Sequence, residues 1–436
     1  MRHFALIALL TTASATVAAD PVKLTEQAAV GSTYHVITEA RITGELLTPV
    51  AKDKPPERVK IDGKSSIDYA ERILPVDAKE GDYKCLRIYE RIKFQKTAGD
   101  RTEEMTLRPA VRRQVLIKKG VHRIPFSPDG PLLFGEIELL RTDSMVPAMA
   151  GLLPPNAVAP GDTWKATEAA VIELTGFEKI DSGELVCKLE RVQTLGPRKL
   201  AQVSFSGALK GLNEDGPIRQ KVTGRLTVDL NAQCITFLSV DGEQVLLDDH
   251  GKDAGKITGT FELQRQPVTG YVPLSDAKLR DLDLTPSEEN TRLLYDSETA
   301  GVRFVHSRNW HVVRLNGRQI TVDEVGGTGL LITLETPDGV PPAARFLREA
   351  KKELEDRGAK LSGSHGPVRL DNQVEYFVLD GEIGKEKVAM AYFVIRRDLG
   401  GATFAARIPD AAKDARMQEL QRLARSFTVT RRLDEK

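Results

Sequence analysis

The sequence predicts an α+β fold in two parts. The first is an N-terminal antiparallel β meander, half-barrel or barrel-like, and the second is an antiparallel sheet with packed helices. Two observations predict this. Up to about residue 270, apolar and polar residues alternate in runs joined by short polar turns, with little helical periodicity. After about residue 293, strand-like runs are interrupted by two segments of helical periodicity.

Length and charge limit the class of protein. The chain has 436 residues, which at about 150 residues per domain suggests two or three domains. Lys plus Arg and Asp plus Glu both number 62, so no net charge attracts nucleic acid or an anionic membrane surface. We divide the sequence into a signal peptide (1–19), a β-rich antiparallel domain (20–270), a linker with a short helix (271–292) and an α+β domain (293–436).

The first 19 residues predict export. A positively charged start is followed by an apolar run over 4–10 and by small residues that end at Ala19. We expect cleavage after Ala19, so that the mature chain begins at Asp20 and is periplasmic or secreted. The apolar run is shorter than the roughly 20 residues of a membrane span, and no cysteine precedes Cys85, so neither a span nor a lipid anchor is predicted.

Period-two alternation predicts the strands of the β-rich domain. Apolar residues share one face in a first strand (Ile67, Tyr69, Ile73) and in a second (Leu86, Ile88, Ile92, Phe94). Glu90 is the only interruption of the second face. A short helix is expected from Met145 to Leu153, and Trp164 opens a strand after a Gly-Asp turn. Later strands are predicted at Leu185–Leu189, Leu200–Leu209, Gly224–Leu230, Gln233–Val240 and Gly255–Gln264.

The strand pair from Gly224 to Gly242 carries the pattern Gly-x-Leu-x-Val-Asp…Ile-x-x-Leu-x-Val-x-Gly. It resembles the meander of lipoprotein-carrier half-barrels of the LolA type. The resemblance implies a curled sheet whose apolar inner face holds acyl chains. The same alternation is found when such a face is simply a filled core, which is the more ordinary case, and the sequence leaves both interpretations open.

The linker and the C-terminal domain follow from turn and helix signals. Thr285 to Glu288 has the form of a capping box, which predicts a short helix through Leu294. Asn316-Gly317 predicts a type I′ hairpin turn. Helices are expected from Pro341 to Gly358 and from Asp410 to Phe427. Strands are expected at 302–306, 311–315, 318–323, 330–335, 360–370, 373–380, 386–397 and 402–407.

The C-terminal third resembles the PsbP-like family over roughly residues 293–432. The resemblance rests on the order of hairpins, helix, antiparallel strands and final helix, and on three motifs: Gly301-Val302-x-Phe304 with Trp310 after a polar corner, Gly329–Ile332, and Arg425-Ser426-Phe427. It implies an antiparallel sheet with packed helices and an accessory role. The corner before Trp310 is Ser307-Arg308-Asn309 where the family usually has a proline, and no metal or partner contact is carried over.

The three cysteines allow two interpretations. Cys187 and Cys234 lie in predicted strands and pair if those strands are neighbours, which leaves Cys85 over. Buried free thiols that act as small apolar side chains are the other interpretation. No Cys-x-x-Cys occurs, so a thioredoxin-like site is excluded.

No residue pattern predicts catalysis, a cofactor or a metal. His306 and His311 flank the corner at Trp310 and need a third ligand, such as Asp323, before they suggest a metal site, whereas strand-end histidines are commoner. Other patterns fail the spacing that their chemistry requires: an acidic run at Asp248–Asp253, a phosphate-loop imitation at Gly251–Lys256, a glycine-rich turn at Gly326–Gly329 and a Ser-His pair at Ser364-His365. The basic pairs Arg112-Arg113 and Lys118-Lys119 only flank an apolar run.

The sequence therefore favours an exported binding or accessory protein of the cell envelope, without catalytic activity and without a cofactor. Its expected partner is a protein or an apolar ligand, and the ligand-binding residues are unknown at this point. The alternative is a hydrolase whose site is assembled from residues scattered in the sequence.

Overall fold

The computed structural model of the chain describes residues 20–48, 57–76, 82–120 and 122–434. The predicted signal peptide lies outside these residues, so its processing stays a prediction. Among the described residues, no helix has the length and apolar character needed to cross a membrane.

The β-rich domain begins with six strands: β1 (Thr33–Thr48), β2 (Glu57–Ile73), β3 (Tyr83–Ala98), β4 (Arg101–Thr106), β5 (Arg113–Lys119) and β6 (His122–Phe126). A mixed segment follows, with β7 (Leu132–Leu133), helix α1 (Phe134–Arg141), a 3-10 helix (Val146–Leu152), β8 (Thr163–Lys165) and helix α2 (Glu168–Thr175). Five long strands complete the domain: β9 (Lys179–Leu195), β10 (Arg198–Asn213), β11 (Gly216–Asp229), β12 (Cys234–Leu247) and β13 (Asp253–Pro267).

All of these strands except β7 form one antiparallel sheet of twelve described strands. Its order is β6-β5-β3-β2-β1-β13-β12-β11-β10-β9-β8, and β4 pairs with β3. The first strand pairs with the last, since Tyr34 lies opposite Pro267. Among the described strands, β6 and β8 end the order, so the sheet is open and not a closed barrel. The predicted antiparallel meander is confirmed.

The inner face of this sheet is the face that carries Tyr34 and Val36 of β1. These side chains are buried in one apolar cluster together with residues of the segment 134–175, which we call the inner segment. The contributing side chains of the inner segment include Ile137, Leu140, Met149, Leu152 and Val171. The inner segment therefore fills the curled sheet at this end.

Helix α2 links strands from opposite ends of the sheet. It packs against β9. Its Glu173 is buried and pairs with Lys118 of β5 at 2.6 Å and with Arg123 of β6. Because β5 and β6 lie at one end of the strand order and β9 near the other, α2 keeps the sheet curled around the inner segment.

Strand β3 differs from its prediction because of a β-bulge. Tyr69 lies opposite Tyr89, but Asp68 lies opposite Arg91, so Glu90 is an extra residue without a partner on β2. The alternation of side chains along β3 is therefore reversed at the bulge: odd-numbered residues face inward before it, and even-numbered residues face inward after it. Ile92 and Phe94 lie on the inner side, whereas Leu86 and Ile88 pack outside in a separate cluster with Leu274 and Leu279. The prediction that Leu86, Ile88, Ile92 and Phe94 share one face was wrong.

The linker contains a 3-10 turn (Val272–Leu274) and a short helix α3 (Asp276–Leu279). The helix predicted over Thr285–Leu294 was wrong. Ser287 and Asn290 instead close a turn through two hydrogen bonds between side chain and main chain. Leu293 and Leu294 belong to the next strand, where pairing on both sides outweighs the local helix signal.

The C-terminal domain begins with β14 (Leu293–Ser297), β15 (Val302–His306), β16 (Trp310–Asn316), β17 (Gln319–Glu324) and β18 (Gly329–Glu335). Helix α4 (Ala343–Asp356) precedes β19 (Lys360–Arg369), β20 (Val374–Ile383), β21 (Glu386–Arg397) and β22 (Gly400–Pro409). A 3-10 turn (Asp410–Ala412), helix α5 (Lys413–Ser426) and β23 (Thr428–Val429) end it.

Seven of these strands form an antiparallel sheet with the order β16-β17-β18-β22-β21-β20-β19. The prediction of strands with two packed helices is confirmed, with boundaries shifted by a few residues. The type I′ turn at Asn316-Gly317 was wrong. Asn316 pairs with Gln319, so the two-residue loop is Gly317-Arg318, and only Gly317 has a positive φ (57°).

The two domains meet at a small shared sheet, which we call the seam. Leu132 and Leu133 of β7 pair in parallel with Leu293 and Leu294 of β14. Nearby, Arg308 of the polar corner donates to the carbonyl oxygens of Thr291 and Pro125. Independent folding of the two domains stays a prediction, and a fragment that starts at the linker lacks the β7 partner of β14.

Candidate functional site

A buried group of charged residues lies on the inner face, where β2 and β3 meet the inner segment. We call Tyr69, Glu71, Arg87, Tyr89 and Asp143 the buried cluster. The Arg87 guanidinium donates to Glu71 Oε2 at 2.8 Å and to Asp143 Oδ2 at 2.5 Å. Its Cζ lies 4.3 Å from the centre of the Tyr69 ring, and the Tyr89 hydroxyl donates to Asp143 at 3.0 Å. All three charged side chains are 1% exposed.

The bulge at Glu90 is what places Arg87 inside. Upstream of the bulge, Arg87 and Tyr89 share the inner side with Cys85. Asp143 follows α1 and brings the inner segment onto this part of the sheet. The buried cluster thus fixes the position of the inner segment through ionic contacts in addition to apolar packing.

The electrostatics of the buried cluster depend on Arg87. Burial raises the pKa of Glu71, but the charges of Arg87 and Arg265 and the hydrogen bond from Arg87 hold it below its usual value. Burial raises the pKa of Asp143, with the Arg87 charge opposing it. The two carboxyl groups are therefore paired by one guanidinium that has no access to solvent.

A second buried pair extends the cluster along the inner face. Arg265 of β13 donates to Glu26 Oε1 at 2.7 Å, and both side chains are fully buried. The Arg265 guanidinium also lies 3.5 Å from the centre of the Tyr34 ring. Among the described residues, Nε and Nη2 of Arg265 and the Tyr69 hydroxyl have no hydrogen-bond partner. These donors are the kind of group that buried water satisfies in proteins.

Within the described residues, the inner face is only partly covered at its other end. Continuing along β1 from Tyr34, the inner positions Ile42, Gly44 and Leu46 are only partly buried. Their neighbour Ile257 on β13 is also partly buried. Ile42, Leu46 and Ile257 belong to none of the apolar clusters that the described residues form. The filled-core interpretation therefore holds near Tyr34, while the face is open near Leu46.

Glycines shape this open end. Ile42 lies against Gly63 and Gly259 of the neighbouring strands, and Leu46 lies against Gly255. On β12, Gly242 lies opposite Gly259, and a Cβ built on it finds only Gln220 Nε2, at 3.9 Å. The large apolar side chains therefore lie flat over glycines and leave a shallow apolar groove.

A pocket of about 520 Å³ lies at the same end of the sheet. It is lined by the last residues of β1 and the first residues of β13, among them Leu46, Leu47 and Gly255. Most of its lining side chains, including those of Arg58 and Lys256, lie on the outer face of the sheet, and each of these two cations pairs with a glutamate. This volume falls within the usual range for small-molecule sites.

The opposite end of the sheet is capped by the linker. Residues 267–272 and Leu274 lie across it and line a pocket of about 750 Å³ together with Tyr34 and Arg72. Arg72 donates to the Leu274 carbonyl and pairs with Asp276, which fastens α3 to β2. The Tyr34 ring separates this pocket from Arg265.

The cysteines are buried free thiols, as one of the two interpretations predicted. Cys187 lies on β9 and Cys234 on β12, with β10 and β11 between them, so the proposed pair does not form. Burial raises the pKa of Cys187 to about 12 and that of Cys234 to about 11. Thiols with such pKa values are poor nucleophiles at neutral pH.

The two histidines considered as metal ligands, His306 and His311, lie in different environments. His306 is buried, and its Nδ1 lies 2.9 Å from the Ser307 carbonyl oxygen. Burial lowers its pKa, and the nearby His311 lowers it further. His311 itself is exposed on β16, opposite Asp323. Within the described part of the chain, no group of three or more potential metal ligands converges.

The remaining sequence patterns are turns and strands. Asp248 closes the turn between β12 and β13 by accepting hydrogen bonds from the His250 and Lys252 amides. Ser364 and His365 lie on the edge strand β19, where His365 is exposed and 3.4 Å from Asp380. Lys118, in contrast, is buried by its contact with Glu173. In the described part of the structure, these patterns do not converge on a common site.

Comparison with known proteins gives similarity to solved structures alone. No family model matches the chain, and a search of curated proteins found no match. Cyanobacterial PsbP (CyanoP) from Synechocystis sp. PCC 6803 is similar over 32% of this chain and 92% of that one, at 16% identity and a TM-score of 0.25. Lipovitellin, in a structure of its lipid–protein interactions, is similar over 55% of this chain and 25% of that one, at 11% identity and a TM-score of 0.31.

A third similar structure is DynF from the dynemicin biosynthesis pathway of Micromonospora chersina. It covers 56% of this chain and 85% of that one, at 9% identity and a TM-score of 0.14. At these identities and TM-scores none of the three bears on function. The LolA-type resemblance stays a prediction.

Proposed function

We propose that the chain is an exported cell-envelope binding or accessory protein without catalytic activity, which holds an apolar ligand at the open end of its N-terminal sheet. One observation carries the proposal. The apolar inner face continues past the filled core, so that Ile42, Leu46 and Ile257 stay partly exposed along it.

The chemistry of this end favours an acyl chain. Apolar side chains that lie flat over glycines offer a narrow groove, and burial of ligand surface contributes about 25 cal/mol per Å². The cationic side chains of Arg58 and Lys256 lie on the outer face of the sheet, away from this groove. An apolar peptide of a partner protein is the other occupant that such a groove accepts, and the measurement below separates the two.

The C-terminal domain is proposed to be PsbP-like on the strength of its motifs. Its accessory role would then be contact with another protein of the envelope. The motif residues themselves are structural, since Phe304, Trp310 and Phe427 are buried in one cluster.

The hydrolase alternative has one candidate group, the buried cluster. It combines carboxyl groups, a guanidinium and a phenol, which are acid–base residues. Its charged side chains are 1% exposed, so a substrate has no path to them in this structure. Saturable turnover in an esterase or peptidase assay that is lost in Asp143→Asn would overturn the non-enzymatic proposal.

We expect protein purified from its native envelope to carry extractable lipid, and the lipid-free protein to bind a dansyl-labelled fatty acid with a micromolar-range Kd, about −8 kcal/mol. Gly242→Leu fills the groove without a close contact, because only Gln220 Nε2 lies near its Cβ position. The affinity should fall by about tenfold, which corresponds to about 1.4 kcal/mol. Fluorescence titration measures this.

Asp241→Leu is the matched control, because it adds the same side chain to the opposite, exposed face of β12. It should bind the probe as the unmodified chain does. Folded protein without extractable lipid and without saturable binding would contradict the proposal. Equal affinity in Gly242→Leu would place the ligand elsewhere. Competition by an apolar peptide, but not by an unlabelled fatty acid, would favour the protein partner.

Export is tested at the N-terminus. If the signal peptide is cleaved after Ala19, intact-mass spectrometry of the protein from its native cells should show a chain that begins at Asp20. The protein should fractionate outside the cytoplasm. A mature chain that retains residues 1–19 would contradict export.

A further inference from the structure

A pocket at the seam is lined by three arginines. Arg292 precedes β14, and Arg422 and Arg425 lie in the last turns of α5. We call this the arginine pocket. Its volume is about 490 Å³, and its other lining residues are Pro131, Glu289, Val305 and Ser426. It is separate from the open end of the N-terminal sheet and does not depend on the function proposed above.

The walls of the arginine pocket are well fixed. Ser426 Oγ accepts a hydrogen bond from the Val305 amide at 2.9 Å and donates to the Leu423 carbonyl at 2.8 Å. These bonds fasten the end of α5 to β15. Arg292 is 7% exposed. The guanidinium groups are therefore presented from a helix and a strand that are held together, and not from a loose surface.

The arginines are incompletely paired. Arg292 Nη2 donates to Glu288 Oε1 at 3.0 Å, and Arg422 donates to the same oxygen. Arg292 Nε lies 3.4 Å from Glu289 Oε2 but makes no hydrogen bond. Arg425 has no ion pair or side-chain hydrogen bond with the described residues.

The local charge balance is positive. Two glutamates, Glu288 and Glu289, pair with Arg292 and Arg422, and the pocket has Arg425 as a third arginine. Arg308 is close by, and among the described residues its guanidinium donates only to main-chain carbonyl oxygens. The two glutamate side chains are 57% and 73% exposed, and exposed ion pairs contribute little to stability. They can turn into solvent when a stronger acceptor arrives.

We propose that the arginine pocket binds a phosphate group, carried either by a small soluble anion or by a lipid head group. Guanidinium groups present planar pairs of donors that match phosphate oxygens, and several of them around one site favour a multiply charged oxyanion. Arg425, whose side chain makes no ion pair or hydrogen bond with the described residues, is the donor available to it, and Arg292 and Arg422 add the guanidinium groups that now share Glu288.

The test is a titration of the full chain with inorganic phosphate, followed by calorimetry, and a parallel sedimentation assay with vesicles of phosphatidylglycerol or of phosphatidylcholine alone. The double variant Arg422→Gln/Arg425→Gln should weaken phosphate or phosphatidylglycerol binding by about tenfold or more, since hydrogen bonds to charged groups contribute about 1.5–3 kcal/mol each. Arg425→Gln alone removes no ion pair or side-chain hydrogen bond with the described residues and should weaken binding without a change in stability.

Arg345→Gln is the control, because it removes one arginine from the exposed face of α4. A soluble ligand is supported if free phosphate binds to Arg345→Gln as it does to the unmodified chain but does not bind to the double variant. Binding to phosphatidylglycerol vesicles alone, with the same dependence, supports a head group. The proposal is overturned if neither free phosphate nor phosphatidylglycerol vesicles bind. It is also overturned if the double variant, Arg425→Gln and Arg345→Gln all bind as the unmodified chain does. Fatty-acid binding at the open end is measured separately, so either proposal can fail without the other.

Discussion

Trp310→Ala is expected to lower the free energy of unfolding of the C-terminal domain by about 3–5 kcal/mol, the usual range for truncation of a buried large aromatic. Trp310 is 1% exposed and belongs to the same apolar cluster as Leu420 and Phe427. Its Nε1 also donates to Glu419 Oε2 at 2.8 Å, so the indole connects β16 to α5. Urea denaturation followed by circular dichroism measures the loss.

Two further variants test whether the loss of stability comes from the buried indole of Trp310. Val313→Ala changes a residue of the same strand that is 60% exposed, and it should alter stability by less than about 0.5 kcal/mol. Trp310→Phe keeps most of the apolar contact but loses the hydrogen bond, so its effect should lie between the other two. A loss below about 1 kcal/mol in Trp310→Ala would show that the side chain does not support the core.

Arg87→Met is expected to cost about 3–5 kcal/mol, because it removes the guanidinium that pairs with both buried carboxylates, Glu71 and Asp143. A methionine of similar length retains apolar contact, so the loss reports the unpaired charge and not a cavity. Arg91→Met is the control on the same strand. Arg91 is exposed, and its acidic neighbours lie 3.9 Å and 4.0 Å away.

The pH dependence of this loss has a definite sign. In the unmodified chain, the pKa of Glu71 is lowered on folding, so its stabilising contribution is present above the usual pKa of 4.5 and is lost as pH falls through the folded value. Without Arg87, burial dominates and raises the folded pKa of both carboxyl groups. The variant then loses stability as pH rises. The difference between the two proteins should be smaller at pH 5 than at pH 7.5, and a pH-independent difference would contradict the role given to Arg87.

The sequence predicted most of the fold because most of its signals are local. The alternation of apolar and polar residues predicted the long strands β9–β13, and helical periodicity predicted α4 and α5. It failed where partners outside the local window decide. Leu293 and Leu294 follow a capping box, yet they form a strand because β7 and β15 lie on either side. Asn316 lies in a strand because its partner is Gln319.

The candidate sites were predicted less well for the same reason. In the sequence, Glu90 is a charged residue that interrupts an apolar face. A β-bulge predicted at that position would have placed Arg87 on the inner face. The partners of Arg87 and Arg265 gave no local signal, since Asp143 and Glu26 lie 56 and 239 residues away in the chain. The arginine pocket likewise combines the residue before β14 with the end of α5.

The pairing of β1 with β13 governs the order in which the N-terminal sheet can assemble. Tyr34 meets Pro267 more than 200 residues later, so this sheet has a high contact order, which slows folding. During synthesis β1 and β2 form a hairpin early, while the other edge of β1 stays unpaired until β13 has emerged. An exposed strand edge of 16 residues is a target for association with other chains. Chaperone dependence and aggregation of truncated chains should therefore end only once the chain extends past β13.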